Sequence, residues 1–163
     1  MAALRGDRVV LRRGGPEDVD ALLRILAEPE VAEWWGRYTA AEVRAELPDS
    51  YVIVVDDVVA GWLQYTEETA PDYPHVGLDI VVTTRLRDQG HGREALRVIV
   101  RHFVARGHHR FTIDPSRDNE RAIRAYAAIG FRPVGVLRSY ERAPGGAWRD
   151  GLLMDLLADE LID

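Results

Sequence analysis

The sequence predicts a mixed α/β fold, a sheet with helices laid on its faces. Three observations carry this. Short apolar runs of strand length alternate with stretches whose apolar residues recur every three or four positions. The run Leu78-Asp79-Ile80-Val81-Val82 leads through Arg87-Asp88-Gln89-Gly90-His91-Gly92 into a helical pattern near Arg93, a strand–glycine loop–helix unit. The length of 163 residues, 47% hydrophobic and 29% charged, suits one globular domain spanning 1–163 with a sizeable core.

Arg8 to Arg12 reads as a short strand, and Gly14-Gly15-Pro16 breaks the chain with proline at a helix start. Val19, Leu22, Leu23 and Leu26 form a helical stripe that Glu28-Pro29 interrupts. Thr39 caps a second short helix containing Val43 and Leu47. Tyr51 to Val55 and Val58 to Tyr65 read as a hairpin turning at Asp56-Asp57. Glu67 to Pro74 is polar, holds two prolines and reads as a loop; His75 to Val82 is the strand before the glycine loop. Leu96, Ile99, Val100 and Phe103 mark a helix ending at Gly107. Arg110 to Asp114 is a strand. Asn119 then caps a helix with Ala122, Ile123, Tyr126 and Ala127 along one side, closed by Gly130. Phe131 to Tyr140 and Trp148 to Leu156 are the last strands.

Composition narrows the function. There is no cysteine, so disulfides, thiolate nucleophiles and Cys-ligated zinc are excluded. The histidines at 75, 91, 102, 108 and 109 show no metal spacing, no metal is expected, and His108-His109 reads as a surface turn. A net charge of −6 and a pI near 5.4 argue against nucleic acid as partner and fit a cationic substrate. Met1 to Leu11 has no apolar run long enough for a signal peptide, and no stretch approaches the ~20 apolar residues of a membrane span, so a cytoplasmic location without a membrane partner is expected.

The glycine loop is an anion site in outline. N–H groups at a helix start have no intrahelical partner and can converge on one phosphate. Gly90 and Gly92 allow close backbone approach and positive φ, and Arg87 and Arg93 add charge on either side. No Gly-Lys-Ser/Thr ending is present, so this is not a nucleotide P-loop, and the third glycine of a dinucleotide fingerprint is missing.

The spacing Arg-x-x-Gly-x-Gly resembles the acyl-CoA pyrophosphate loop of the GNAT N-acetyltransferase superfamily, and the element order resembles that fold over essentially the whole chain. Further segments resemble the aminoglycoside 6'-N-acetyltransferase family: Trp34-Trp35-Gly36, Gly77-Leu78-Asp79, and Asp114-Pro115-Ser116 followed by Asn119, Arg121-Ala122-Ile123-Arg124, Tyr126 and Gly130-Phe131. The longer tryptophan-rich insertion of close relatives is replaced by Glu67-Glu68-Thr69-Ala70-Pro71-Asp72-Tyr73-Pro74. The resemblance implies a mostly antiparallel central sheet flanked by helices, with strands splayed at the acyl-CoA site.

The residues read as follows. Asp79 is either a carboxylate on a solvated sheet face or the base that takes a proton from a substrate amine. Tyr126 is either a core-facing aromatic or, by resemblance, the acid that protonates the leaving thiolate. Asn119 is a helix cap, with a contact to the pantetheine arm implied by the resemblance. By the same resemblance Val81 and Val82 bond pantetheine through their backbone, and Arg87, Asp88, Gln89, Gly90, His91, Gly92 and Arg93 hold the pyrophosphate. Trp35 and Tyr65 are core or rim residues that the resemblance makes a sugar-facing wall. Glu67, Glu68, Asp72, Asp79, Asp114 and Asp150 would bind the ammonium groups of a polycationic amine.

The expected activity is therefore acetyl transfer from acetyl-CoA to an aminoglycoside, by direct attack and without metal, giving antibiotic resistance, in a monomer or homodimer. A siderophore-pathway acyltransferase, a protein N-terminal acetyltransferase and a non-catalytic acyl-CoA sensor are the alternatives.

Overall fold

The computed structural model describes residues 2–163. Its strands are β1 (Leu4–Arg5), β2 (Val9–Arg13), β3 (Ser50–Val55), β4 (Val58–Glu68), β5 (His75–Val82), β6 (Arg110–Ile113), β7 (Arg132–Arg142) and β8 (Trp148–Leu157). Its helices are α1 (Val19–Leu26), α2 (Pro29–Trp35), α3 (Ala40–Glu46), α4 (His91–Ala105) and α5 (Glu120–Ala128). The strands form one sheet in the order β1-β2-β3-β4-β5-β6-β8-β7. β5 and β6 pair in parallel, whereas β1–β2, β2–β3, β3–β4, β6–β8 and β7–β8 are antiparallel.

The chain forms two compact units, with the boundary falling inside β4, β5 and α4. One takes the chain up to Gln64 together with Ile80–Val98. Its core holds Val19, Leu22, Ile25 and Leu26 of α1, with Val31, Val43, Leu47, Val52, Trp62 and Val81. The α1 stripe recurs at the spacing that puts these side chains on one helix face. Asp56 and Asp57 both take left-handed φ, +49° and +61°, which is the two-residue turn whose twist matches a hairpin. Trp62 is fully buried, and its Nε1 donates to Ser50 Oγ at 2.7 Å. Asp18, also buried, accepts from Arg12 Nη1 and Nη2 at 2.8 and 2.9 Å and from Gly15 N–H at 2.9 Å.

The other unit takes Tyr65–Asp79 and Ile99–Asp163. Phe103, Phe111, Ile113, Ile129, Phe131, Met154 and Leu156 are its buried apolar residues around β6, β8 and the ends of α4 and α5. Gly130 closes α5 at φ +115°, and a Cβ there would stand 2.4 Å from Glu160 O, so the position demands glycine.

The structure corrects the sequence reading in several places. Pro29 starts α2 rather than only ending α1, because a first-turn proline lacks an N–H that would be unpaired anyway. Glu67 and Glu68 lie in β4, not in a loop. His108 is buried, and its Nε2 lies 2.7 Å from Glu67 Oε1, so it is not a surface turn. Gly92 lies in the first turn of α4 rather than at positive φ.

Candidate functional site

The first unit carries the loop between β5 and α4. Glu28 fixes its approach, accepting from Thr84 N–H and Thr84 Oγ1, each at 2.7 Å, and from Thr83 Oγ1 at 2.8 Å. Burial pushes the Glu28 carboxyl up, but these donors outweigh it and hold the group below its ordinary range. Asp88 and Gly90 take left-handed φ, +60° and +83°. Left-handed residues amid right-handed ones turn successive N–H groups toward one concavity, an anion nest. Gly92 places its α carbon where a Cβ would be 3.5 Å from Val82 Cγ2, an ordinary contact.

The side chains around the loop are partly committed. Arg87 Nη2 donates to Glu30 O at 3.3 Å, and Gln89 Nε2 to Arg85 O at 3.3 Å. Arg93 Nη2 lies 3.7 Å from where a Gly90 Cβ would stand. His91 is buried at the start of α4, and its Nδ1 has no hydrogen-bond partner. Val81 contributes its side chain to the core, which leaves only its backbone for any ligand. A left-handed glycine, a flanking guanidinium, a helix start and an orphaned ring nitrogen together suit a phosphate group. They fit the pyrophosphate of coenzyme A.

Trp35 packs on Tyr38 and Trp62 with ring centroids 6.2 and 6.1 Å apart, a core-edge position in the same unit.

The second unit carries the candidate acid–base groups. β5 and β6 are in register only at Val76–Phe111 and Gly77–Thr112. Asp79 lies two residues beyond Gly77 on β5 and is exposed, so its charge carries no burial cost. Asp114 follows β6 and is half-buried. Tyr126 lies on α5, edge-on to Phe131 at 6.3 Å. Burial first, then the charges of Asp79 and Asp114, push the Tyr126 phenol well above the ordinary tyrosine range. Asn119 caps α5 through Ala122 N–H at 3.3 Å.

Sequence reasoning missed Tyr140. Its hydroxyl donates to Asp114 Oδ2, and that bond, with burial and the Asp114 and Asp79 charges, pushes its pKa up to about 12. A bulge aims it. β7 slips against β8 between Leu137 and Glu141, with Ser139 at φ +48°. Ser139 N–H donates to Asp150 Oδ1 at 2.8 Å, and the Tyr140 ring covers Gly151, where a Cβ would be 2.8 Å from Cδ2. The Asp150 carboxylate is thus engaged with the bulge and, at 3.7 Å, with Arg117. Glu67 is engaged with His108 and, at 3.7 Å, with Arg106. Tyr65 stacks on Phe103 at 5.1 Å. Glu68 is half-buried on β4, and Asp72 is exposed in the turn before β5. No signal local to residue 140 could have found it, because the bulge depends on pairing with β8.

A family model described as the acetyltransferase (GNAT) family matches residues 19–131. The chain belongs to this family, and it is an acetyl-CoA-dependent acetyltransferase by fold and by membership. No protein with a curated description matches in sequence. Among solved structures, Mycobacterium smegmatis RimJ in complex with CoA-disulfide is 26% identical, with a TM-score of 0.81 over 99% of this chain and 88% of that one. A Salmonella typhimurium acetyl transferase that modifies the N-terminal serine of 50S ribosomal subunit protein L7/L12 is 18% identical, with a TM-score of 0.83 over 99% of this chain and 100% of that one. A Bacillus anthracis GNAT-family acetyltransferase is 16% identical, with a TM-score of 0.84 over 98% and 100% of the two chains. At the two lower identities the likeness is one of fold.

Proposed function

We propose that this enzyme acetylates a single primary amine, best fitted by the N-terminal α-amine of a protein or peptide. The observation that supports the reading is the engagement of two of the outer carboxylates, Asp150 and Glu67. Asp150 is taken by Ser139 N–H and Arg117, and Glu67 by His108 and Arg106. Asp79 and Asp114 are the carboxylates whose charges act on Tyr126 and Tyr140, and Asp114 accepts from the Tyr140 hydroxyl. One ammonium is matched by such a pair; several ammonium groups need more. An α-amine, with a pKa of about 7.7–8.0, is also partly neutral near pH 7.

Acetyl-CoA supplies an activated thioester carbonyl and a thiol leaving group. Asp79 accepts a proton from the amine as its nitrogen bonds to the carbonyl carbon. Tyr126 donates toward the sulfur as the carbon–sulfur bond breaks. Its raised pKa makes it a poor acid while both carboxylates are charged. Once Asp79 takes the amine proton, one of the charges retaining the phenolic proton is neutralised, and Tyr126 becomes a better donor as the thiolate forms. Tyr140 holds and orients Asp114, which pairs with the incoming ammonium before it loses one proton to solvent and reacts as the neutral amine.

A second reading is favoured by the Trp34-Trp35-Gly36 and Asp114-Pro115-Ser116 segments: a polycationic aminoglycoside acetylated at its 6'-amine. Thiol release from acetyl-CoA over a panel of N-terminal peptides and aminoglycosides, with NMR of the products, separates the two. We expect acetylated α-nitrogen and a KM nearly independent of salt. Turnover of aminoglycosides alone, with KM rising steeply with salt, supports the second reading.

A further inference from the structure

Arg8 precedes the stretch matched by the family model, yet it reaches the loop before α4. Its backbone N–H donates to Glu94 Oε1 at 2.6 Å, and that of Val9 to the same oxygen at 3.1 Å. Arg8 Nε donates to Glu94 Oε2 at 3.0 Å, and Nη1 to the Gln89 carbonyl at 2.7 Å. These bonds fix the guanidinium and leave Nη2 facing the loop. Nη2 lies 3.1 Å from the point a Gly90 Cβ would occupy, and Arg93 Nη2 lies 3.7 Å from it. Two guanidinium groups therefore bracket the left-handed glycine at the start of a 15-residue helix, beside the buried, unpartnered Nδ1 of His91.

Glu94 is ion-paired with Arg8 Nε and offsets one of the two positive charges, but it leaves Arg8 Nη2 and Arg93 Nη2 on either side of Gly90. Burial pushes its carboxyl up, but the Arg8 and Val9 N–H groups and the Arg8 side chain outweigh it and keep it ionised. Its oxygens are spent on those donors, so it acts as a clasp that aims Arg8. Two cations held side by side repel unless an anion lies between them, and a planar guanidinium is well suited to phosphate oxygens.

We propose that Arg8 is a phosphate-binding residue of the coenzyme A site, paired with Arg93 across Gly90. This rests on the reading of residues 87–93 as the CoA loop. The phosphate is either the pyrophosphate or the 3'-phosphate, and the two share one chemistry.

Calorimetric titration of CoA, dephospho-CoA and pantetheine tests it on wild type, Arg8→Met, Arg8→Lys and Glu94→Gln. Arg8→Met keeps the aliphatic stem and both backbone bonds to Glu94. It should weaken CoA binding by about 10- to 100-fold, the worth of a hydrogen bond to a charged group. Arg8→Lys should recover part of the loss, and pantetheine, which has no phosphate, should bind all variants alike. Glu94→Gln keeps an acceptor for both N–H groups but loses the one for Arg8 Nε, so it should weaken CoA binding by less than Arg8→Met does. A loss that persists with dephospho-CoA assigns the pyrophosphate, and one that vanishes assigns the 3'-phosphate. Wild-type CoA affinity in Arg8→Met overturns the proposal. So does an equal loss for pantetheine, since that makes Arg8 a structural clamp. Wild-type protein that takes up no CoA instead overturns the reading of the loop itself.

Discussion

At the scale of single residues, the proposed mechanism rests on Asp79 and Tyr126. Asp79→Asn keeps size and shape but can neither accept the proton nor carry charge. Its kcat should fall by about 10²–10⁴, the usual worth of one acid–base group. Steady-state thiol release measures this, and turnover within a few-fold of wild type from pH 6 to 9 would reduce Asp79 to scaffolding. Tyr126 stays protonated throughout that range because its pKa is raised. Tyr126→Phe should therefore lower kcat without moving the inflections of the pH profile, and a lost alkaline inflection would show that the phenol titrates. Asp18 makes a separate prediction about stability. Its pKa is lowered, chiefly by the hydrogen bonds from Arg12. A depressed carboxylate stabilises the fold above its unfolded pKa of about 3.9, and that stability is lost as pH falls through the folded value. Acid unfolding of Asp18→Asn, followed by circular dichroism, should show a smaller drop in stability below about pH 4 than wild type does. Asp79, Asp114 and Tyr126 could be proposed from the sequence because each sits in a short continuous segment that resembles the family's. Tyr140 and Arg8 could not, since a bulge and a clasp 85 or more residues away in sequence place them.

Elements set those positions. β7 illustrates how: Ser139 at left-handed φ inserts the bulge, Asp150 ties it, and Gly151 leaves room for the Tyr140 ring. Gly151→Ala puts a methyl 2.8 Å from that ring and should displace it. The variant should then behave like Tyr140→Phe, with a raised KM for the amine and unchanged CoA affinity. Unequal kinetic profiles of the two variants would detach the bulge from the acceptor site. β4 has a similar constraint in the first unit. A Cβ at Gly61 would stand 2.2 Å from Val81 O, a backbone atom that cannot yield cheaply. Gly61→Ala should cost at least about 2 kcal/mol in urea unfolding. The β3–β4 hairpin was readable because Asp56-Asp57 is a two-residue turn between alternating apolar runs. α2 was hidden because its proline reads as a breaker, although at a first helical turn it costs nothing. β4 was read three residues short because Thr66, Glu67 and Glu68 are polar, yet His108 and Arg106 pair with Glu67 there.

For the whole molecule, the fold class followed from the order of apolar runs and the family from the resemblance carried by the Arg87–Gly92 loop and later segments, whereas the acceptor followed from neither. A substrate is recognised by side chains whose charges are either spent or left over, and only coordinates say which. The account assigns cofactor capture to the β5–α4 loop of one compact unit and proton transfer to Asp79, Tyr126 and their neighbours in the other. The measurement that tests this most directly is parallel titration of CoA and assay of turnover on Gly90→Val and Asp79→Asn. Gly90→Val should lose CoA affinity, because a branched side chain at φ +83° is strained and crowds the Arg8 and Arg93 guanidinium groups. Asp79→Asn should bind CoA as wild type does and lose turnover. Folded Gly90→Val with wild-type CoA affinity, or Asp79→Asn with full turnover, would contradict the account.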